Sequence, residues 1–558
     1  MFKKMIIGLM LIIAIIGTLI YIKINEMPIT KEEFKKGFLS SENTNVKLYE
    51  KIETEEKNEY KEITEKPRGT EISVTKINTK DEYLKIKLDK NIFYVKKDNI
   101  TYKKENIVKE SKIYVRTSTV IYEYPEKVKI NSSVKKGDEL IVTGYDKLEN
   151  GKVNMYKTDK GYIYGKYVVL SKEESLLNYN ENGIYDKHKD RGDKYGGGSA
   201  ANLDYYPIEK PSFENNIMPK ETRTIYLTVE ALKNVDKYIT FAKNNNINAF
   251  VVDVKENTIP GYKSEVMKEY SITSYERAVL TKEQYKLYID KIKENGIYVI
   301  GRITTFKDNY YAKDHPENTI KSTSTNNSFI HNGSAWPTAY NRKVWEYNVA
   351  LAYEAATVIG FNEIQFDYVR FPDRVYNLEK NKQIDLQNTY NEDKAAAIQQ
   401  FLMYAKDVLH SANTYLSADV FGETSNNYVT AYGQYWPAIS NVVDVVSAMP
   451  YPDHFNKYEY GIKVPVWTVP YQLLNKWGTD ANVRQSEIET PAVVRTWIQA
   501  YNTIKEPFVT YNSQKIEEQI KGLYDAGLTG GYITWNSSSN LDKYYSLAPA
   551  FRKDLINE

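Results

Sequence analysis

Cysteine is absent from all 558 residues. That excludes disulfides, thiolate metal sites, a cysteine nucleophile and a lipid anchor on cysteine. Histidine is scarce: His188, His315, His331, His410 and His454 are scattered, with no pair at the helical spacing of a metal site. A zinc or di-iron centre is therefore not expected, and no other cofactor is implied. Charge of one sign is not in excess, since 75 Lys and Arg face 73 Asp and Glu. No basic run is interleaved with aromatics, so nucleic acid is not an expected partner. A glycine-rich phosphate loop after an early strand is also missing, which argues against a dinucleotide-binding open sheet.

What is present is enough apolar residue for sizeable cores, 42% of the chain, in a length that calls for two to four units. Fifty tyrosines run through every segment, the pattern of a compositional bias rather than of one sugar-binding surface. Lys3 and Lys4 precede an uncharged run from Met5 to Ile22, closed by Lys23. Eighteen such residues are close to the minimum for a bilayer span. The rival is a cleaved signal peptide, but no small-x-small site follows. Residues 1–25 are thus expected to form a cytoplasmic tip and signal-anchor. The paired lysines place the N-terminus inside and the bulk of the chain outside.

Residues 26–44 are polar and read as a stalk. Two segments of short alternating strands follow, 45–108 and 109–171. In the second, the turn Lys135-Lys136-Gly137-Asp138 leads into Glu139-Leu140-Ile141-Val142-Thr143, and the segment ends on Gly161-Tyr162-Ile163-Tyr164-Gly165-Lys166-Tyr167-Val168. This ending resembles that of bacterial SH3-like barrels, which implies a module for cell-wall peptide or glycan, or a spacer. The first segment reads as a degenerate copy. Residues 172–220 lack periodicity, carry Gly196-Gly197-Gly198 with Pro207, Pro211 and Pro219, and read as a linker.

From 221 to 558 short apolar runs alternate with amphipathic stretches, the pattern of βα units on a parallel sheet. Strands are expected at 223–228, 248–254, 297–303, 362–367, 415–420, 442–449, 507–511 and 530–535. Helices are expected at 281–295, 342–358, 391–411, 490–504 and 513–526. Eight strands in this length predict an α/β fold of the (β/α)8 barrel type, with the small all-β domains before it.

Chemistry in such a barrel sits at the C-terminal ends of strands. Those ends hold Asp253, Arg302, Asp367 and Asp419; the sixth leads into Tyr451 and Asp453, the eighth into Trp535 and Asn536. In Glu363-Ile364-Gln365-Phe366-Asp367 the period of two sets Asp367 on the face of Gln365, opposite Ile364 and Phe366. Ser417-Ala418-Asp419 repeats the arrangement. On adjacent strands the two carboxylates should lie roughly 5 to 10 Å apart, the range of paired glycosidase acids. The rival reading of each is structural: a cap, or an ion pair with Arg302 or Arg370.

Seven stretches carry a more specific resemblance: R-T-I-Y-L-T (223–228), N-A-F-V-V-D-V-K-E (248–256), Y-V-I-G-R-I-T-T-F-K-D (298–308), G-F-N-E-I-Q-F-D-Y-V-R-F-P (360–372), L-S-A-D-V-F-G (416–422), S-A-M-P-Y-P-D-H-F (447–455) and Y-D-A-G-L-T-G-G-Y-I-T-W-N (524–536). In this order they resemble a bacterial family described as a "putative glycosyl hydrolase domain", a distant relative of α-amylase and α-galactosidase barrels. The resemblance implies Asp367 at the strand-four nucleophile position and Asp419 at the family's strand-five aspartate. Asp453 falls where the wider clan often has its acid, though the family more often has Ser there.

The reading is a glycosidase or transglycosidase on an envelope or extracellular polysaccharide. Asp367 is nucleophile or charge stabiliser and Asp419 is general acid/base. Asp253, Glu256, Arg302, Arg370, Asp453 and Asn536 bind substrate, and Trp336, Tyr451 and Trp535 offer flat faces for sugar rings. A non-catalytic wall- or glycan-binding scaffold is the alternative. A metal-dependent deacetylase is a third reading, disfavoured by the scattered histidines.

Overall fold

The computed structural model describes residues 33–555 except 55–56, 77–81, 126–127 and 194. The expected signal-anchor lies outside the described residues; among them no helix is long and apolar enough to cross a membrane. The chain divides into two compact units, each with its own core.

The first unit comprises residues up to 112, with 141–158 and 164–166. It is β-rich, consistent with SH3-like modules. The strands Asn58–Pro67, Asn45–Glu53, Asn91–Lys96, Tyr83–Leu88, Glu71–Thr75, Phe34–Leu39 and Ile100–Thr101 lie side by side in that order. Alternation buries Val46 and Leu48, Ile72 and Val74, and Ile86 and Leu88 in one cluster with Leu39 and Val95. The described part of the expected stalk is not a stalk. Phe34–Leu39 pairs with Glu71–Thr75 because Phe38 and Leu39 have a core to enter. Arg68 and Glu110 form a buried ion pair at 2.7 Å, completed by Tyr156.

The second unit holds the parallel barrel. Its strands are β1 (Thr222–Leu227), β2 (Ala249–Glu256), β3 (Tyr298–Thr304), β4 (Glu363–Asp367), β5 (Tyr415–Phe421), β6 (Val445–Met449), β7 (Val493–Val494 with Thr496–Gln499) and β8 (Gly531–Trp535). They alternate with α1 (Val235–Asn244), α2 (Lys282–Glu294), α3 (Arg342–Glu354), α4 (Lys394–Ser411), α5 (Trp436–Val442), α6 (Pro470–Gln485), α7 (Ser513–Asp525) and α8 (Leu541–Phe551). Every pairing from β1 round to β7 is parallel. β7 nearly closes the row. Its first half pairs with β6 and its second with β8, and the Arg495 amide between them donates to the Val446 carbonyl at 3.0 Å.

Local sequence explains most of these elements. Thr281 and Gln284 form a capping box at the start of α2, whose Tyr285, Ile289 and Ile292 recur at helical spacing and are buried. On β4 the outward Phe366 meets Phe401 of α4 at 5.1 Å, leaving Glu363, Gln365 and Asp367 to the interior.

Further expectations need correction. The seventh strand is at 493–499, not 507–511, so 490–504 is not helical. The run Val494-Arg495-Thr496-Trp497-Ile498 also satisfies a period of two. Its polar inward residue Arg495 is held by Glu363 of β4 at 2.8 Å, a partner three strands away. Residues 172–220 are more than a linker. Ile184, Ala200, Leu203 and Tyr205 are buried with Ala395, Val429 and Tyr435, and His188 is buried between Tyr205 and Tyr435.

Candidate functional site

At the C-terminal ends of β2, β3, β4 and β5 the chain gathers one guanidinium and four carboxyls. Arg302 reaches up from β3. Its Nη1 donates to Asp253 Oδ1 at 2.7 Å and Glu256 Oε2 at 2.8 Å, and its Nη2 and Nε donate to Asp367 Oδ2 at 2.6 and 3.1 Å. A register shift in β2 between Asp253 and Lys255 lets Glu256 join Asp253 on Arg302 while Lys255 turns outward to Asp308. Tyr226 of β1 donates to the other oxygen of Asp253. Below the guanidinium, Tyr226 and Trp535 approach with ring centroids 4.7 Å apart, and Trp497 meets Trp535 at 5.5 Å.

Asp367 and Asp419 occupy different surroundings. Asp367 Oδ2 takes both Arg302 contacts, and Oδ1 accepts the amide of Tyr368 at 2.6 Å. Tyr368 has φ of 50°, a left-handed conformation costly for an aromatic residue, and it turns the chain sharply off the end of β4. Asp419 is 1% exposed; its Oδ1 accepts Trp497 Nε1 at 2.8 Å and its Oδ2 has no protein partner. Burial, then the charge of Asp367, pushes the Asp419 carboxyl well above the usual range. Burial likewise raises Asp253, to about 6, against the pull of Arg302. The Tyr368 hydroxyl is pushed up to about 12 by burial and by Asp367 and Glu256.

The structure thus brings Asp253, Glu256, Arg302, Asp367, Asp419 and Trp535 together. The rest of the expected set lies around or beyond this cluster. Trp336, read as a sugar platform, is 2% exposed and packed against Tyr368 at 6.0 Å. Tyr451 is also buried, edge-on to His454 and Tyr501, and packs in one cluster with Tyr226, Trp497 and Trp535 within electrostatic reach of Asp419, Asp367 and Arg302. Asp453 braces the loop after β7 by accepting from Tyr501 at 2.9 Å. The Asn536 amide donates to the Asn540 carbonyl at the entry to α8. Arg370 caps the Phe371 carbonyl, meets Asp373, and lies 4.3 Å from the Phe421 ring centroid.

Tyr226, Tyr368 and Trp497 are the residues that sequence reasoning passed over. Tyr226 and Tyr368 lie inside the quoted stretches but carry no charge to draw attention. Trp497 falls in the run read as a helix. A cavity of about 760 Å³ elsewhere in this unit, lined by Arg116, Lys136, Asp204, Arg342 and Glu392 among others, includes none of the candidate residues. Among the described residues no cluster of three or more acidic or histidine side chains is placed to hold a metal ion.

The sequence profile of a family described as "Putative glycosyl hydrolase domain" matches residues 224–541, more than half of the chain. Among solved structures, a hypothetical protein from Ruminiclostridium thermocellum is 31% identical over 35% of this chain and 97% of its own, with a TM-score of 0.30. The C-terminal domain of a putative chitinase from Desulfitobacterium hafniense is 10% identical over 61% of this chain and 100% of its own, with a TM-score of 0.39. A chitinase from Rhizomucor miehei is 13% identical over 60% of this chain and 100% of its own, with a TM-score of 0.36. No protein of curated function matches the chain.

Proposed function

The chain belongs to the family described as "Putative glycosyl hydrolase domain", and from that premise we propose that its (β/α)8 barrel cleaves O-glycosidic bonds in an envelope or extracellular polysaccharide. The observation that carries the reading is the contrast between Asp367 and Asp419. One carboxyl is ion-paired to Arg302; its neighbour is buried, lacks a counter-charge and has its pKa raised. Two carboxyls whose surroundings differ in this way can divide the work of glycoside cleavage.

In the proposed reaction Asp419 is protonated and gives that proton to the glycosidic oxygen as the C1–O bond breaks. Asp367 faces the positive charge that develops at C1, as nucleophile or as stabiliser. Water then adds at C1, displacing the Asp367 oxygen where it has bonded there, and its proton passes to the Asp419 carboxylate, which restores the starting state. Arg302 fixes Asp367 and ties it to Asp253 and Glu256, so that the acids hold one geometry before substrate arrives. Glu256, whose side chain is 28% exposed, is the member of the cluster most open to a sugar hydroxyl.

A second reading, a non-catalytic glycan-binding platform, is favoured by one observation: Asp253, Glu256 and Asp367 all spend an oxygen on the single Arg302. The two readings part on turnover. Wild type and Asp367→Asn, assayed as the full chain on a glycan panel, should differ completely in reducing-end release while both stay folded. Retained release in Asp367→Asn removes the paired-carboxylate assignment. Binding without release by wild type selects the platform. The chain is further proposed to sit in the membrane by residues 5–22, with the barrel and the SH3-like modules on the outer side.

A further inference from the structure

The loop after β3 is stitched to the end of β4. The Thr305 amide donates to the Asp367 carbonyl at 2.8 Å, and the Phe306 amide to the Tyr368 carbonyl at 3.3 Å. The next residue, Lys307, is thereby carried to the candidate nucleophile's side, with Nζ 4.6 Å from the centroid of the Tyr368 ring. Arg370 approaches the same ring, its guanidinium carbon at 5.1 Å. The Tyr368 hydroxyl in turn feels Asp367, Glu256 and Arg302. One aromatic ring, set by a left-handed turn directly after Asp367, thus joins a cationic edge to the acidic cluster.

The charges on that edge do not balance. Lys307 has no carboxylate within ion-pair distance among the described residues, while Asp373 alone serves Arg370 at 3.3 Å, Arg374 at 3.8 Å and the His331 ring at 3.8 Å. Arg374 is 89% exposed. The half of the mouth built from Asp253, Glu256 and Asp367, three acids around the single Arg302, would repel an acidic group, whereas the edge beside Tyr368 would attract one.

We propose that Lys307, with Arg370 and Arg374, forms an acid-recognition edge of the barrel mouth, and that the glycan taken there carries an anionic oxygen group, a carboxylate or a phosphate. The inference rests on the hydrolase reading for the place of the sugar, but the charge preference is a property of binding and can be read without turnover. The edge fixes orientation as well as class: the acidic substituent lies beside Tyr368, and the sugar ring extends from it over Asp367.

The test is binding of the full chain to three polymers: a polyuronate, the same polymer with its carboxyls reduced to alcohols, and a phosphate-bearing glycan. Reducing-end release is measured in parallel. The proposal expects one of the acidic polymers to bind at least tenfold more tightly than the neutral one, with the preference falling as salt rises. Lys307→Gln should lose about tenfold of that affinity and leave neutral-polymer binding unchanged, whereas Lys307→Arg should keep most of it. Which acidic polymer binds separates carboxylate from phosphate. Equal binding of the neutral polymer, no binding of either acidic one, or an unchanged preference in folded Lys307→Gln would each overturn it. Acid-selective binding without release leaves this inference standing and removes the hydrolase reading; release from the neutral polymer alone does the reverse.

Discussion

Replacing Arg302 by Met tests the electrostatic logic of the site independently of any substrate. Arg302 is 3% exposed and is the shared partner of Asp253, Glu256 and Asp367. Met fills a similar volume without charge, so the loss is electrostatic rather than a cavity. Leaving buried carboxylates without their cation costs about 3–5 kcal/mol at neutral pH. Unfolding entropy of roughly 2 cal/mol/K per residue over about 400 residues is ~0.8 kcal/mol/K, so ~4 kcal/mol lowers Tm by about 5 °C. The deficit must also depend on pH in one direction. Without Arg302 the carboxyls of the folded state have pKa values above those of the unfolded chain. Such groups contribute their full stability below the unfolded value and lose it as pH rises through the folded one. Asp253, already raised to about 6 by burial against the opposing pull of Arg302, climbs further. Thermal unfolding of Arg302→Met and wild type, followed by circular dichroism, should therefore give nearly equal Tm values near pH 4.5 (roughly the ordinary carboxylate pKa) and the full gap above neutrality. A gap of the same size at both pH values, or none above neutrality, would refute the reasoning.

Other outcomes follow from single contacts. Asp419→Asn removes a carboxyl that burial and Asp367 disfavour in its charged form, so hydrolysis should vanish while stability above neutral pH holds or rises; loss of the fold there would contradict the assignment. Trp497→Phe deletes the indole hydrogen bond that opposes the raised Asp419 pKa, so the basic limb of the pH–rate profile should move to higher pH, and an unmoved limb would separate Asp419 from that limb. At the other end of the barrel, burial works to raise Asp444, but the His410 hydrogen bond, the His410 and Lys406 charges and the Leu416 amide bring it down to about 2. This group stabilises above its unfolded value and loses that contribution, ~2 kcal/mol, as pH falls through about 4 to 2. His410→Ala should flatten the acid limb of a stability profile, and an unaltered limb would remove Asp444 as its source.

Much of the barrel was legible because its signals are local. The alternation of Gln365 and Asp367 with Ile364 and Phe366 states which side chains face inward, and six of the seven other strand positions follow from similar short runs. The seventh was not, because Val493–Gln499 satisfies two periodicities and its buried Arg495 makes sense only once Glu363 lies across the interior. Charge was the guide to the candidate site, so Asp253, Arg302, Asp367 and Asp419 were singled out and the neutral Tyr226 and Tyr368 beside them were not.

By itself the sequence determined the order of strands and helices and the acidic residues carried at strand ends, since hydrophobic period and residue type are properties of neighbours along the chain. Only the tertiary structure decided what those acids do to one another. It set Asp367 against Arg302, left Asp419 buried with a single indole donor, and placed Lys307 beside Tyr368. Protonation and affinity depend on distance and burial, and these exist only after residues far apart in the chain have been brought to the same few ångströms.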